Sequence, residues 1–123
     1  MRFPFIPLLL LVGCTPTPAN FLAKSSEIGC SRYEECEKAS FEDAYTDHGD
    51  CVEETLDDYQ DYYDCLAEEC DFDPKDATDC LAAVRADDCD DLFNNGEFAD
   101  SCDITDIYEC SDDDWFQCAD ELF

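Results

Sequence analysis

The residues of this chain best suited to covalent chemistry are its cysteines. The sequence of 123 residues contains 11 cysteines, and all but Cys14 lie between residues 30 and 118. Cysteine at this density in a short chain is typical of a disulfide scaffold in an oxidising compartment. We therefore predict disulfides among the ten remaining cysteines, which are Cys30, Cys36, Cys51, Cys65, Cys70, Cys80, Cys89, Cys102, Cys110 and Cys118.

Position along the chain suggests two of the pairings. Cys65 and Cys80 lie about equally far from a tight connection at 71–74, so they would face each other across a helical hairpin. Cys89 and Cys102 flank a turn-rich stretch and would close it as one loop. A zinc site is disfavoured because the sequence has no C-x-x-C and only one histidine, His48.

Acidic residues dominate the surface chemistry. The chain has 34 acidic and 6 basic residues, for a net charge of −28 at pH 7. This charge excludes nucleic acid as a partner and disfavours direct contact with anionic lipid. The partners that it favours are a basic protein or divalent cations.

Clustered aspartates are candidate ligands for calcium, because this ion prefers carboxylate oxygens. The clusters are Asp71/Asp73/Asp76, Asp87-Asp88 with Asp90-Asp91, and Asp112-Asp113-Asp114. The EF-hand pattern fails near Gly96, because counting from Asp91 puts Phe93 where an oxygen ligand belongs. We expect weak, diffuse Ca²⁺ binding, no defined metal site and no cofactor.

Catalytic patterns are missing from the sequence. No nucleophile-elbow motif surrounds a serine, and no single pair of acids stands out as a general acid and base. His48 lies beside Gly49 and Asp50, which predicts an exposed loop residue. We therefore expect a protein that is not an enzyme.

The amino-terminal segment has the features of an export signal. Arg2 precedes an apolar run from Phe3 to Val12, which is shorter than the ~20 residues that a membrane-spanning helix needs. The run ends on Leu11-Val12-Gly13-Cys14, which resembles the lipobox of bacterial lipoproteins. The resemblance implies that Cys14 receives a diacylglycerol and becomes the mature amino terminus, with acyl chains that hold the protein on a membrane.

Thr15 follows the lipobox cysteine, where the family often carries Asp for retention at the inner membrane. The resemblance therefore favours the outer membrane of the cell envelope. The alternative is a secreted protein cut near Ala19, without Cys14. We divide the chain into a signal peptide (1–13), a lipidated flexible tether (14–29) and a Cys-rich acidic helical domain (30–123).

Helical periodicity dominates the rest of the sequence, so we predict an all-α fold of four to five short helices stapled by disulfides. Ser31-x-x-Glu34 predicts the start of the first helix. The strongest helix covers 50–70, where apolar residues recur every three or four positions and predict a buried stripe rather than a binding surface. The stripe consists of Val52, Leu56, Tyr59, Tyr63, Leu66 and Cys70.

Later elements are also predicted to be helical. Asp73 and Pro74 should start a helix over 76–88 that buries Ala77, Cys80, Leu81 and Val84. A turn-rich stretch over 90–101, a helical turn at 104–108 and a last helix capped by Ser111 complete the chain. In the last helix we expect Trp115, Cys118 or Ala119, and Leu122 to face inward.

The combination of a lipobox, cysteine-bearing helices and acidic outer faces resembles the small Cys-rich acidic lipoproteins of myxobacteria-like bacteria. The resemblance rests on a style of spacing, with Cys-Leu-Ala at 65–67 and at 80–82. It implies a fold style and a location. We expect a non-catalytic, lipid-anchored envelope protein that acts as an acidic interaction or structural module. The alternative is a secreted calcium-binding or inhibitor-like disulfide-rich protein.

Overall fold

The computed structural model describes residues 15–93 and 102–122. Its helices are α1 (Phe21–Cys36), α2 (Lys38–Ala44), α3 (His48–Glu69), α4 (Pro74–Ala86), α5 (Cys89–Phe93), α6 (Ile104–Ile107) and α7 (Asp112–Ala119). Two-residue strands, β1 (Asp71–Phe72) and β2 (Tyr108–Glu109), pair antiparallel, and a 3-10 turn covers Asp120–Leu122. The predicted all-α disulfide-stapled class is confirmed, with seven helices in the described residues where four to five were expected.

The first helix begins ten residues before the predicted start. Thr17 and Asn20 each donate a backbone N–H to the other's side-chain oxygen, at 2.7 and 3.2 Å, and this turn leads into α1. Phe21, Leu22 and Ser26 then lie in the protein interior. The predicted flexible tether is therefore wrong for residues 21–29. The helical body begins at Phe21, on the amino-terminal side of the boundary predicted at Cys30. The apolar residues on the face of α1 stabilise this helix without a capping box at its start.

Helix α1 lies at the centre of the fold and packs against both α3 and α4. It runs antiparallel to α3, because the Phe21 ring lies 6.4 Å from the Tyr63 ring while Cys30 is bonded to Cys51. The predicted α3–α4 hairpin is therefore wrong as a packing unit, because both helices pack on α1 rather than mainly on one another.

All ten predicted cysteines form disulfides. The five pairs are Cys30–Cys51, Cys36–Cys89, Cys65–Cys118, Cys70–Cys110 and Cys80–Cys102. The predicted pairs Cys65–Cys80 and Cys89–Cys102 are both wrong. Since α3 and α4 each face α1, Cys65 meets the last helix and Cys80 meets the segment before α6. Every pair joins separate elements of the chain, with sequence separations of 21 to 53 residues.

Acidic and hydroxyl side chains cap four of the described helices, among them α6, where Asp103 accepts from the Thr105 N–H at 2.9 Å. Asp47 accepts a hydrogen bond from the Asp50 N–H and caps α3, so this helix begins two residues before the predicted position. Asp73 accepts from the N–H groups of Lys75 and Asp76 at 2.9 and 3.1 Å, as the sequence predicted. Ser111 caps α7 in the predicted way. These oxygens satisfy N–H groups that the helices themselves leave without partners.

Two clusters of buried side chains form the core. The larger joins α1, α3, α4 and the carboxyl-terminal elements around Leu66, Ile107 and Tyr108, and it contains Ala77, Cys80, Leu81 and Val84 as predicted. The smaller consists of Cys30, Phe41 and Cys51. Tyr108, expected in a helical turn, instead follows α6 in β2 and is fully buried.

Two local expectations near the carboxyl end differ from the structure. Residues 90–93 belong to α5 rather than to a turn, while 94–101 lie outside the described residues. Leu122 is exposed rather than inward-facing, whereas Cys118 is fully buried. Because α7 ends at Ala119, the 3-10 turn that follows no longer places Leu122 on the same face as Cys118.

Candidate functional site

An apolar groove lies on the surface of the helical body. Its volume is about 490 Å³, which lies within the range of small-molecule sites. One face of α1 forms its floor, α3 forms one wall, and α4 with residues 102–107 forms the other. The lining residues are Phe21, Leu22, Ser25, Ser26, Gly29, Cys30, Tyr33, Tyr45, Cys51, Thr55, Tyr59, Tyr63, Cys80, Val84, Cys102, Ile104 and Ile107.

The groove follows the line along which α1 and α3 run antiparallel. On α3 its lining residues recur every four positions from Cys51 to Tyr63, and on α1 they extend from Phe21 to Tyr33. Each of these spans covers about 18 Å at 1.5 Å per residue. The disulfides Cys30–Cys51 and Cys80–Cys102 both contribute to its walls, so the groove is braced covalently.

One polar atom in the groove lacks a partner. Ser26 is only 5% exposed, and its hydroxyl has no hydrogen-bond partner within the described part of the chain. An unsatisfied buried hydroxyl costs about 1–3 kcal/mol. Because Ser26 lines the groove, a bound ligand with a polar atom could satisfy it.

Tyrosines give the groove an amphipathic rim. Tyr59 is 45% exposed, so the structure corrects the prediction that this part of the α3 stripe is core. Tyr63 is largely buried, and burial, followed by the neighbouring Tyr62 and Tyr59, raises its pKa to about 12. Burial and then the carboxylates of Glu54, Asp58 and Asp50, together with Tyr33, raise the pKa of Tyr45. This end of the groove is therefore both aromatic and electronegative.

Positive charge is scarce around the groove. Its described lining residues include no Lys or Arg. On α1, Arg32 donates to the Glu35 carboxylate and to the Asp87 carbonyl oxygen, so its charge is already engaged. The groove therefore suits a ligand that is apolar along its length and carries no negative charge.

Pro16 lies near the start of the described residues. It lines a second, smaller depression of about 390 Å³ together with Lys24, Ile28 and Arg85. The α1 residues in this depression lie on a different face of the helix from those in the groove.

Cys14, the predicted lipidation site, lies outside the described residues. Among the described residues, no helix combines the length and apolar character that crossing a bilayer requires. The five disulfides indicate an extracellular or otherwise oxidising compartment.

His48 differs from its prediction as an exposed loop residue. It is the first residue of α3, is partly buried, and places Nε2 3.0 Å from the Glu27 carboxylate on α1. This contact bridges two helices and brings no nucleophile to the imidazole. His48 therefore has a structural position at the α1–α3 junction.

Two of the three acidic clusters considered for calcium contain residues with local structural roles. Asp73 caps α4, and Asp112, Asp113 and Asp114 occupy the first turn of α7, where negative charge is favourable. One compact group of metal-ligand residue types within the described chain consists of Glu35, Cys36 and Cys89. Its two sulfurs are bonded to each other, so neither is available as a thiolate ligand.

The chain has no recognisable relative in three comparisons. No protein-family model matches it, and no curated protein or solved structure is significantly similar.

Sequence reasoning missed the groove because its floor lies in the predicted tether. A signal was present, since Leu22, Ser26, Gly29 and Tyr33 recur at helical spacing. Small residues at two of these positions predict a depression once the segment is read as a helix.

Proposed function

We propose that this protein is a non-catalytic, lipid-anchored binding module of the cell envelope, whose apolar groove takes an elongated apolar ligand. The disulfide-braced apolar groove is the observation that carries the binding proposal, and one polar atom on an otherwise apolar ligand would satisfy the buried Ser26 hydroxyl. The lipobox at Leu11–Cys14 supports the anchor, and the acidic surface supports an interaction with a basic or cationic partner. The outer membrane is the expected site of the anchor.

Filling the groove tests the binding proposal. A Cβ built at Gly29 meets no atom within 4 Å, so Gly29→Leu would occupy groove space without a clash at Cβ. Leucine also has a higher helix propensity than glycine. The matched control is Ser31→Leu, which adds the same side chain at an exposed position of α1.

The measurement is titration with N-phenyl-1-naphthylamine, an uncharged dye that fluoresces in apolar surroundings. We expect saturable 1:1 binding to the oxidised protein and to Ser31→Leu, and a loss of at least about tenfold in affinity for Gly29→Leu. Circular dichroism checks that both variants keep their helices. Equal dye binding by all three proteins, or no saturable binding by any, would reject a ligand groove.

The anchor is tested separately. We expect the intact mass of the mature protein to show a diacylated Cys14, and a Cys14→Ala variant to move from the membrane fraction to the soluble fraction. A mature chain that begins near residue 19 would instead support the secreted alternative. The dye titration does not depend on this result.

A further inference from the structure

Two hydroxyl-bearing residues lie opposite each other in the groove, one on α1 and one on α3. The two helices run antiparallel, and the Cys30–Cys51 disulfide fixes their register. Ser26 lies about one turn before Cys30 on α1, and both line the groove. Thr55 lies about one turn after Cys51 on α3, and both of these also line it. Ser26 and Thr55 therefore occupy facing positions on the floor and the wall of the groove.

The Ser26 hydroxyl has a hydrogen to donate. In a helix, a serine hydroxyl commonly donates to the carbonyl oxygen three or four residues earlier. Four residues before Ser26 is Leu22, whose carbonyl oxygen already accepts from the Ser25 hydroxyl at 3.0 Å. The helical N–H of Ser26 is the second donor to this oxygen, so both of its lone pairs are occupied. The Ser26 hydroxyl is left without a partner within the described part of the chain, although it is only 5% exposed.

The Thr55 hydroxyl has the complementary capacity. It donates to the carbonyl oxygen of Cys51 at 2.8 Å, within its own helix. Its hydrogen is therefore committed, while its oxygen can still accept a hydrogen bond. A ligand group between the two residues would accept from Ser26 and donate to Thr55.

Space for a ligand exists beside Ser26. Gly29 lies three residues later on the same face of α1, and a Cβ added there would meet no atom within 4 Å. Side chains three residues apart on a helix are neighbours, with Cβ atoms about 5–6 Å apart. The Ser26 oxygen is covered by its surroundings, and rotation about one bond moves a serine hydroxyl between staggered positions. The hydroxyl can therefore turn toward a ligand that lies over Gly29 without movement of the backbone.

We infer that the groove selects an uncharged, mainly apolar ligand that carries a hydroxyl group, which accepts from Ser26 and donates to Thr55. A hydrocarbon can do neither, and an ether or carbonyl oxygen can accept but cannot donate. A carboxylate is disfavoured, because the described lining residues include no Lys or Arg to offset its desolvation. This inference rests on the proposed function, because it assigns the chemical class of ligand to the same groove.

Displacement of bound N-phenyl-1-naphthylamine by three ligands of similar size tests the inference. The ligand 4-butylphenol can donate and accept, 4-butylanisole can only accept, and 4-butyltoluene can do neither. Each dissociation constant is compared between the native sequence and a variant, so that differences in hydrophobicity among the ligands cancel. We expect Ser26→Ala to weaken binding of the phenol and the anisole by about three- to tenfold and to change binding of the toluene by less than about twofold.

A second variant separates donation from acceptance. Thr55→Val removes the accepting oxygen and keeps the shape of the side chain. It should weaken 4-butylphenol by about threefold and leave 4-butylanisole unchanged. The control Ser31→Ala changes an exposed serine of the same helix and should alter no dissociation constant. Circular dichroism checks that each variant keeps its helices.

The stability of Ser26→Ala without any ligand is an independent readout. Because alanine removes a buried hydroxyl that has no partner, we expect this variant to unfold at a higher urea concentration than the native sequence. An unchanged or lower midpoint would show that the hydroxyl is satisfied inside the protein and would overturn the inference.

The outcomes also distinguish this inference from the proposed function. If the dye binds but Ser26→Ala weakens all three ligands equally, or none of them, the hydroxyl assignment is overturned and the groove function stands. Equal weakening of the phenol and the anisole by Thr55→Val would overturn the assignment of Thr55 as the acceptor. If the dye does not bind the native sequence, both proposals fail.

Discussion

The Tyr108 hydroxyl lies 3.5 Å from the carbonyl oxygen of Pro18, 90 residues earlier in the chain. This contact joins a fully buried residue near the carboxyl end to the turn that precedes α1. It shows that the amino-terminal turn belongs to the folded body and that the carboxyl-terminal elements hold it in place.

Removing this hydroxyl tests how firmly the turn is held. Tyr108→Phe keeps the ring packed against Phe21 and Phe72 but leaves the Pro18 carbonyl without its donor. We expect a loss of about 0.5–1 kcal/mol of unfolding free energy, at the low end for a hydrogen bond of this length. Urea denaturation measures it. The control Tyr59→Phe removes a hydroxyl from an exposed ring, and an equal loss in both variants would contradict a specific role for the Pro18 contact.

Alkaline pH should destabilise the protein through its buried tyrosines. Burial, followed by Tyr62 and Tyr59, raises the pKa of Tyr63 to about 12, and burial followed by Tyr63 also raises the pKa of Tyr108. A folded pKa above the unfolded value means that the stabilisation is complete below pH about 10 and is lost as pH rises through the folded pKa. We expect the unfolding free energy to fall above pH about 10, by up to about 1.4 kcal/mol per pH unit for each such tyrosine.

Rapid-mixing absorbance at 295 nm checks this expectation before alkali attacks the disulfides. Tyr63 and Tyr108, whose pKa values are raised by burial, should ionise only well above pH 10. Tyr63→Phe should remove one late step and flatten the loss of stability. Simultaneous ionisation of all six near pH 10 without unfolding would contradict the burial described for Tyr63 and Tyr108.

Two disulfides have the same sequence separation. They therefore allow the contribution of burial to the unfolding free energy to be separated from the contribution of chain entropy. Cys36–Cys89 and Cys65–Cys118 each join residues 53 positions apart, so a loop-entropy account assigns each a similar ~4 kcal/mol. Cys118 is fully buried, while Cys36 and Cys89 are only partly so. We expect replacement of Cys65 and Cys118 by alanine to cost about 1–2 kcal/mol more than the same change at Cys36 and Cys89, because it also leaves a cavity. Equal losses in thermal and urea unfolding would show that chain entropy alone accounts for both.

The cap of α4 can be tested against a charge-matched control. Asp73→Ala removes the acceptor for the Lys75 and Asp76 N–H groups and should cost about 1 kcal/mol. Asp71→Ala removes the same charge from an exposed position in β1 and should be neutral or slightly stabilising, because it relieves repulsion in a chain of net charge −28. If the two variants had the same midpoint in urea, the cap would contribute nothing.

Local patterns account for the predictions that the structure confirms. The helix over His48–Glu69, the caps at Asp73 and Ser111 and the buried face of α4 all depend on residues a few positions apart. Helical periodicity and capping act over that range, so the sequence contains the information directly. The predicted tether fails from Phe21 onward, because the apolar face that begins there is buried in the core and stabilises a helix.

Without reference to its fold, the sequence determined that the chain is helical, acidic and held by disulfides, since residue type, charge and short-range spacing settle those properties. Tertiary structure alone decided which cysteines pair and where the groove lies. Both depend on α1 packing between α3 and α4, which brings together residues up to 53 positions apart in the disulfides. No short-range pattern specifies that arrangement, because it follows from how all the apolar faces are buried at once.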